Sequence, residues 1–293
     1  MQEIVVAPEE APNKLANLLK KKYPIGYVRK LFRKNGIRLN GQRAKPDSLT
    51  RSGDHIQLYI PFEESKPSTP AQADSRLAIA IIHEDESLLV IDKPAGLAVQ
   101  EGKTVRKNES LIGFIERKHP GDQLQPALVH RLDKNTSGVL LLAKNPRALA
   151  YLEHQFETGG IAKDYVCLVV GRLPWNHGKI EFPLPGRDGS PVPAVTRYRT
   201  VKRFSDTTLV TVQLETGRLH QIRLHFAKLG YPVVLDDQHG DFSFNKRFRK
   251  RYGLKRQFLH AAKLAVGFGG KRHSWTAPLP RELEKILKQL EIE

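Results

Sequence analysis

A single cysteine, Cys167, rules out a disulfide framework, a Cys-based zinc site and an iron–sulfur cluster. It sits in the apolar run Tyr-Val-Cys-Leu-Val-Val, residues 165–170, where a buried small hydrophobe is its expected role and a reducing cytoplasm its expected setting. No apolar run approaches the roughly 20 residues of a membrane-spanning helix. The opening Met-Gln-Glu-Ile-Val-Val lacks the basic and apolar segments of a signal peptide, so none is expected. Acidic residues are in deficit: 31 Asp and Glu stand against 48 Lys and Arg, a formal net charge of +17. Such an excess attracts a polyanion, and with no membrane segment the expected partner is nucleic acid. There is no Gly-rich nucleotide loop. His130, His220, His225 and His260 do not show the spacing of a catalytic zinc site. Neither cofactor nor metal is expected.

What is present suffices for real cores. Hydrophobic residues make up 40% of the 293, enough for one small and one larger domain. Residues 61–76 are rich in Pro, Ser and charge and read as a linker. Residues 1–60 precede it. Within them Leu15, Leu18 and Leu19, then Val28, Leu31 and Phe32, have helical spacing, and Gly36 is placed as a helix C-cap. Two β-like segments follow, 37–39 and 55–60, with Asn40-Gly41 as a tight-turn signal. Lys20, Lys21, Lys22, Arg29, Lys30, Arg33 and Lys34 crowd the helical part. On one helix alone, such charge reads as an ordinary solvated face. With the β pattern behind it, the segment resembles the RNA-binding domain first seen in a small-subunit ribosomal protein. Residues 36–42, Gly-Ile-Arg-Leu-Asn-Gly-Gln, fit that domain's Gly-x-Val-x-Val-Asn-Gly. Lys14 stands for its opening Arg, and Val28-Arg29 for its Ser-Arg.

Residues 77–293 alternate short apolar, β-branched runs with helical spacing. The runs at 78–83, 87–92, 138–143, 165–170, 207–214 and 259–266 predict strands, several of them buried on both faces. This predicts an α+β domain around a mixed or antiparallel sheet. Leu283, Ile286, Leu287 and Leu290 predict a C-terminal helix docked on it.

The segment richest in chemistry is 130–138, His-Arg-Leu-Asp-Lys-Asn-Thr-Ser-Gly, which runs into the apolar 139–143. Polar side chains on a loop just before a buried strand are held by a rigid sheet. A lone Asp there more often bonds nearby backbone N–H groups than performs chemistry. The segment differs from a kinase catalytic loop in the order Leu132-Asp133, and no Asp-Phe-Gly follows it.

As a whole, however, His-Arg-Leu-Asp-x-x-Thr-Ser-Gly with Leu-Leu-x-Ala-Lys behind it resembles the RluA-type family of RNA pseudouridine synthases. Three further segments agree in order: 92–97 (Asp-Lys-Pro-Ala-Gly-Leu), 163–166 (Lys-Asp-Tyr-Val) and 215–225 (Glu-Thr-Gly-Arg-Leu-His-Gln-Ile-Arg-Leu-His). Leu219 replaces the usual Thr, and Leu235-Asp236 stands where Gly-Asp is common. The run 236–241 and the basic segment after it look closest to the subgroup that modifies large-subunit ribosomal RNA.

The resemblance implies a pseudouridine synthase-like fold and an isomerisation of uridine that needs no cofactor. It implies Asp133 as nucleophile, Arg223 as its charge partner and Tyr165 as a catalytic residue that stacks on the target base and, in one version of the mechanism, removes a ribose or base proton. It further implies Arg131 filling the gap left by the flipped base, Leu132 and Ile222 lining the uracil pocket, and His130 and His220 near the substrate. Leu219, Ile222, Phe226 and Leu229 predict a buried helical stripe, with His220 and Arg223 on a neighbouring face. Lys246, Arg247 and Arg249 are expected to contact RNA backbone, or else to form a solvated loop. A monomer is expected. Rival readings are a catalytically silent RNA-binding assembly factor, another nucleic-acid enzyme with an Asp nucleophile, and a synthase acting on transfer RNA.

Overall fold

The structure, a computed structural model, describes residues 2–23, 27–28, 31–32, 34–59, 79–102, 105–118, 126–186 and 188–292. The chain divides into two compact units, Met1–Arg76 and Leu77–Glu293.

In the first unit, Leu15, Leu18 and Leu19 turn inward from α1 (Leu15–Lys22) and share a core with Val28, Leu31, Ile37, Ile56 and Leu58. That core covers an antiparallel sheet in the order β1 (Gln2–Val5), β4 (His55–Leu58), β2 (Ile37–Leu39), β3 (Gln42–Arg43). Asn40 and Gly41, at φ 50° and 75°, form the β2–β3 turn. The helix cap expected at Gly36 falls one residue earlier. Asn35 takes the left-handed conformation at φ 52°, and the Gly36 N–H donates to the Leu31 carbonyl at 2.8 Å. Asn tolerates this through its short polar side chain. Lys20, Lys21 and Lys22, in the last turn of α1, and Lys34 are exposed. Arg29, Lys30, Arg33 and the linker 61–76 lie outside the described residues.

The second unit is α+β, built on a ten-stranded mixed sheet. Its strands are β5 (Ala80–Glu84), β6 (Leu88–Lys93), β7 (Ser137–Ala143), β8 (Ile161–Val170), β9 (His177–Ile180), β10 (Thr196–Arg203), β11 (Thr207–Leu214), β12 (Leu259–Phe268) and β13 (Lys271–Thr276), with the short Ala127–Leu128. The order is β9-β10-β11-β8-β12-β7-β6-β5; β13 pairs with β12 and Ala127–Leu128 with β7. Only β7 and β12 run parallel. The helices are α2 (Leu111–Lys118), α3 (Pro146–Glu157), α4 (Gln221–Lys228), α5 (Phe242–Tyr252) and α6 (Arg281–Glu291).

β7 explains why 139–143 reads as continuous apolar sequence: it is buried along its whole length. Leu140 and Leu142 face a core with Leu132, Tyr165 and Ile222, whereas Val139 and Leu141 face another that contains Leu152 of α3. A third cluster holds Leu283, Ile286 and Leu290 of α6 against Phe244 and Phe248 of α5. The predicted C-terminal helix is therefore docked through three of its four apolar positions; Leu287 is only partly buried. The basic segment is a helix, not a loop. Asp241 caps it by accepting the Phe244 N–H at 2.9 Å, and Gly253 closes it at φ 74°. Phe244 and Phe248, one turn apart, point inward, which turns Lys246, Arg247 and Arg249 outward.

Gly138, the second residue of β7, has φ 114°, and a Cβ there would collide with the Ala261 carbonyl. The crossing of the two parallel strands therefore requires glycine. Gly138→Ala is expected to cost on the order of 3 kcal/mol or more, combining backbone strain with overpacking. Urea unfolding followed by tryptophan fluorescence reads this cleanly, since Trp175 and Trp275 both lie in the second unit. An unchanged midpoint would contradict the packing described.

Candidate active site

Asp133 lies in the loop that feeds β7, and this loop is tied down on several sides. The Thr136 N–H donates to the Asp133 carbonyl at 3.0 Å, and the Gly96 N–H to the Lys134 carbonyl at 2.8 Å. The Gln257 amide donates to Thr136 Oγ1 at 2.8 Å, while Ser137 Oγ meets His260 Nδ1 at 2.9 Å. Beneath the loop, Lys93 is fully buried. Its Nζ donates to the carbonyls of Pro94, Leu97 and Lys134 at 2.8, 2.9 and 3.3 Å. Burial, aided by the Arg256 charge, pulls its pKa down to about 7.

The Asp133 carboxylate faces the start of α4. Arg223 Nη1 donates to Asp133 Oδ2 at 2.9 Å. Arg223 is only 3% exposed, and its other edge is held by Asp236, with Nε–Oδ2 and Nη2–Oδ1 both 2.7 Å. This bidentate grip fixes the guanidinium plane. Asp236 is fully buried and also accepts the N–H groups of Gln238 and His239 at 2.9 and 3.0 Å. Burial opposes the ionised form of Asp236, but the Arg223 hydrogen bonds and the two backbone donors hold its pKa below the usual carboxylate value. Burial likewise opposes the charge on Arg223, and the two carboxylates outweigh it.

His220 is the N-cap of α4, in the left-handed conformation at φ 53°. Its Nε2 stands 3.7 Å from Asp133 Oδ1 and its Nδ1 3.0 Å from His239 Nε2. Burial lowers its pKa, an effect the neighbouring Asp133 opposes. Leu132, Tyr165 and Ile222 share the apolar core beneath Asp133. Burial, reinforced by the charge of Asp133, raises the pKa of the Tyr165 hydroxyl.

The structure thus brings Asp133, Arg223, His220, Tyr165, Leu132 and Ile222 together. Arg131 is on the same loop and exposed. His130 is used differently: its Nε2 accepts the Leu141 N–H at 3.0 Å and its ring stacks on Phe156 at 4.8 Å. Burial, with the nearby Lys163 charge, brings its pKa down to about 3, so it is a neutral anchor for the loop. The predicted stripe on α4 is shorter than its spacing suggests. The helix begins at Gln221, so Leu219 lies before it and is 57% exposed, while Ile222 and Phe226 are buried. Cys167 is buried in the same core as Tyr165, and burial raises its thiol pKa. No cluster of His, Cys, Asp or Glu able to hold a metal occurs among the described residues.

Two participants escape a reading by motif. Lys93 looks like part of a Lys-Pro turn, and only burial reveals it as the support of the loop. Asp236 is visible as Leu235-Asp236, but its grip on Arg223 spans 13 positions of sequence. Leu235 adopts φ 61°, a left-handed conformation that explains why glycine suits this place.

A family model described as RNA pseudouridylate synthase matches residues 87–228. The ribosomal large subunit pseudouridine synthase C of Salmonella typhi is 33% identical over 310 residues, covering 98% of this chain and 96% of that protein. Its namesake in Escherichia coli K12 is 32% identical over the same shares. Among solved structures, human RNA pseudouridylate synthase domain containing 4 aligns with a TM-score of 0.62 at 26% identity, over 75% of this chain and 95% of that one.

The buried half of the carboxylate–guanidinium array carries stability and the outer half does not. Asp236→Ala should cost about 3–5 kcal/mol, because it strips a buried cation of its principal partner. Asp133→Asn at the accessible end should cost less than about 1 kcal/mol. Urea midpoints of the two variants check this, and equal losses would contradict it.

Proposed function

Because the chain belongs to the family of RNA pseudouridylate synthases, we propose that it isomerises uridines of large-subunit ribosomal RNA to pseudouridine, with Asp133 as nucleophile. The observation that carries this reading is the Asp133 carboxylate held 2.9 Å from a buried Arg223, in a chain alignable almost end to end with synthases named for the large subunit.

In the reaction the N1–C1′ bond of uridine breaks and a C5–C1′ bond forms. C5 loses its hydrogen as a proton and N1 gains one, so atoms and electrons balance without a redox partner. A carboxylate nucleophile divides this into an attack that frees the uracil and a return that recaptures it at C5. Asp133 has one oxygen on Arg223 and 18% side-chain exposure, so the carboxylate is positioned yet reachable. The target must leave its stack to arrive there. Leu132 and Ile222 supply an apolar wall, Tyr165 an aromatic face, and the exposed Arg131 a side chain to occupy the vacated position. Tyr165 keeps its proton at neutral pH, so removal of a proton from ribose or base falls to a group other than a free phenolate.

The charge of +17 supports backbone binding, and its clusters suggest where. Lys246, Arg247 and Arg249 project from α5. Lys255 and Lys285 line a groove of about 580 Å³ that reaches Asn135, two residues from Asp133, and that Glu282, paired with the buried Arg256 at 2.9 Å, also lines. In the first unit the exposed Lys20, Lys21, Lys22 and Lys34 give a second basic surface, which we assign to selecting or orienting RNA. No described helix is long and apolar enough to cross a membrane. The lone, buried Cys167 accords with a cytoplasmic enzyme.

A pseudouridine map of total RNA from cells lacking the gene tests the substrate. Signals should disappear at particular large-subunit uridines and return on complementation with wild type. Loss in transfer RNA alone would overturn the substrate assignment, and no change anywhere would overturn the activity.

A further inference from the structure

Among the described residues, Lys163 is a largely buried cation without a counter-ion. It lies two residues before Tyr165 on β8, on the inward face of an alternation that runs unbroken from Ile161 to Cys167. Ile161 belongs to the core under α3 and Tyr165 to the core under Asp133, so Lys163 occupies the junction between them. The residue is only 7% exposed, yet its ammonium meets no carboxylate or carbonyl among the described residues. The ammonium lies over the Phe156 ring, whose centroid is 5.3 Å away.

Its surroundings belong to the two loops that carry the site. The backbone of Gly217, in the loop leading to His220 and Arg223, flanks it: a Cβ there would sit in ordinary contact, 3.7 Å from Lys163 Nζ. His130, at the start of the Asp133 loop, stacks on the same Phe156 ring and feels the lysine's charge. The stem is buried while the ammonium keeps a narrow opening to solvent, and holding it in such apolar surroundings without a counter-charge is costly. The desolvation is visible in a pKa brought down to about 8. A methionine would fill the same space without that cost. A cation retained in such a place is available for an anion that arrives from outside, and an RNA strand presenting its base to Asp133 brings phosphates with it.

We propose that Lys163 binds a backbone phosphodiester of the RNA beside the target nucleotide, between the Asp133 loop and the Gly217 loop. The inference rests on the functional reading above and adds to it a binding residue not in contact with the reacting carboxylate. Lys suits this task as a compact point charge, and the Gly217 backbone leaves a side-chain-free approach. The contact would fix the strand relative to Tyr165 and so position the flipped base.

The test uses the full chain and an unmodified transcript of large-subunit ribosomal RNA. A lysine neutralising one phosphate releases counter-ions, so Lys163→Met should lower the slope of log affinity against log salt by about 0.7–0.9. Affinity should fall roughly 10-fold at low salt. The RNA concentration for half-maximal conversion should rise by a similar factor. Lys163→Gln should behave like Lys163→Met, and Lys163→Arg should restore the slope. Because Lys163→Met removes an unpaired buried charge, its urea midpoint should equal or exceed wild type. Unchanged slope and affinity in a folded Lys163→Met would overturn the inference. So would weaker binding with an unchanged slope, which would indicate a neutral group of base or sugar. Conversion by the wild type separates the two levels: if it forms no pseudouridine on any large-subunit RNA, the functional reading fails first.

Discussion

The guanidinium of Arg223 is shared between two carboxylates of unequal burial, and the site depends on that inequality. Asp236 takes two donors at 2.7 Å in full burial, and Asp133 takes one at 2.9 Å where solvent reaches. The inner pair fixes the plane and position of the cation. The outer carboxylate then meets a pre-oriented charge that need not reorganise when the substrate arrives. Because Asp236 in turn accepts two backbone N–H groups and its own carbonyl is held by Asn245 at 2.8 Å, the array is anchored to the start of α5 as well as to α4.

The sheet converts this local arrangement into a site. β7 and β12 run parallel in an otherwise antiparallel array, and Gly138 permits their close approach at the point where the Asp133 loop ends. Ser137 and Thr136 are pinned to His260 and Gln257 from the β12 side, and Lys93 pins the loop from the β6 side. The carboxylate therefore stands on a loop pinned by hydrogen bonds from both of these sides. Such over-determination holds a functional side chain in place when no side-chain contact of its own fold demands it.

Much of this was legible in the sequence, and the limits have physical causes. A continuous apolar run announced β7 because a strand buried on both faces needs no alternation. Helical spacing gave α6 and the first half of α1. The motif resemblance selected Asp133, Arg223 and Tyr165, which composition alone could not distinguish from a turn Asp, a surface Arg and a strand Tyr. Periodicity overextended α4 to Leu219, since a left-handed His220 ends the helix in a way no apolar pattern records. Charge concealed α5: its basic residues suggested a loop, while Asp241, Phe244, Phe248 and Gly253 already spelled a capped amphipathic helix. The motif resemblance placed His130 near the substrate, and only the fold reveals that its Nε2 also accepts the Leu141 N–H. Lys93, Asp236 and Lys163 depend on burial and on contacts distant in sequence, which no local window contains.

The most direct test of the central claim follows the hydrogen that uridine C5 must surrender. Large-subunit ribosomal RNA transcribed with tritium at C5 of uridine is incubated with purified wild type and with Asp133→Asn. The account predicts tritium released to water by wild type, in amounts matching the pseudouridine formed. It predicts none above background from a folded Asp133→Asn that still binds the RNA. Release by Asp133→Asn at the wild-type rate would show that the carboxylate on Arg223 is not the reacting group.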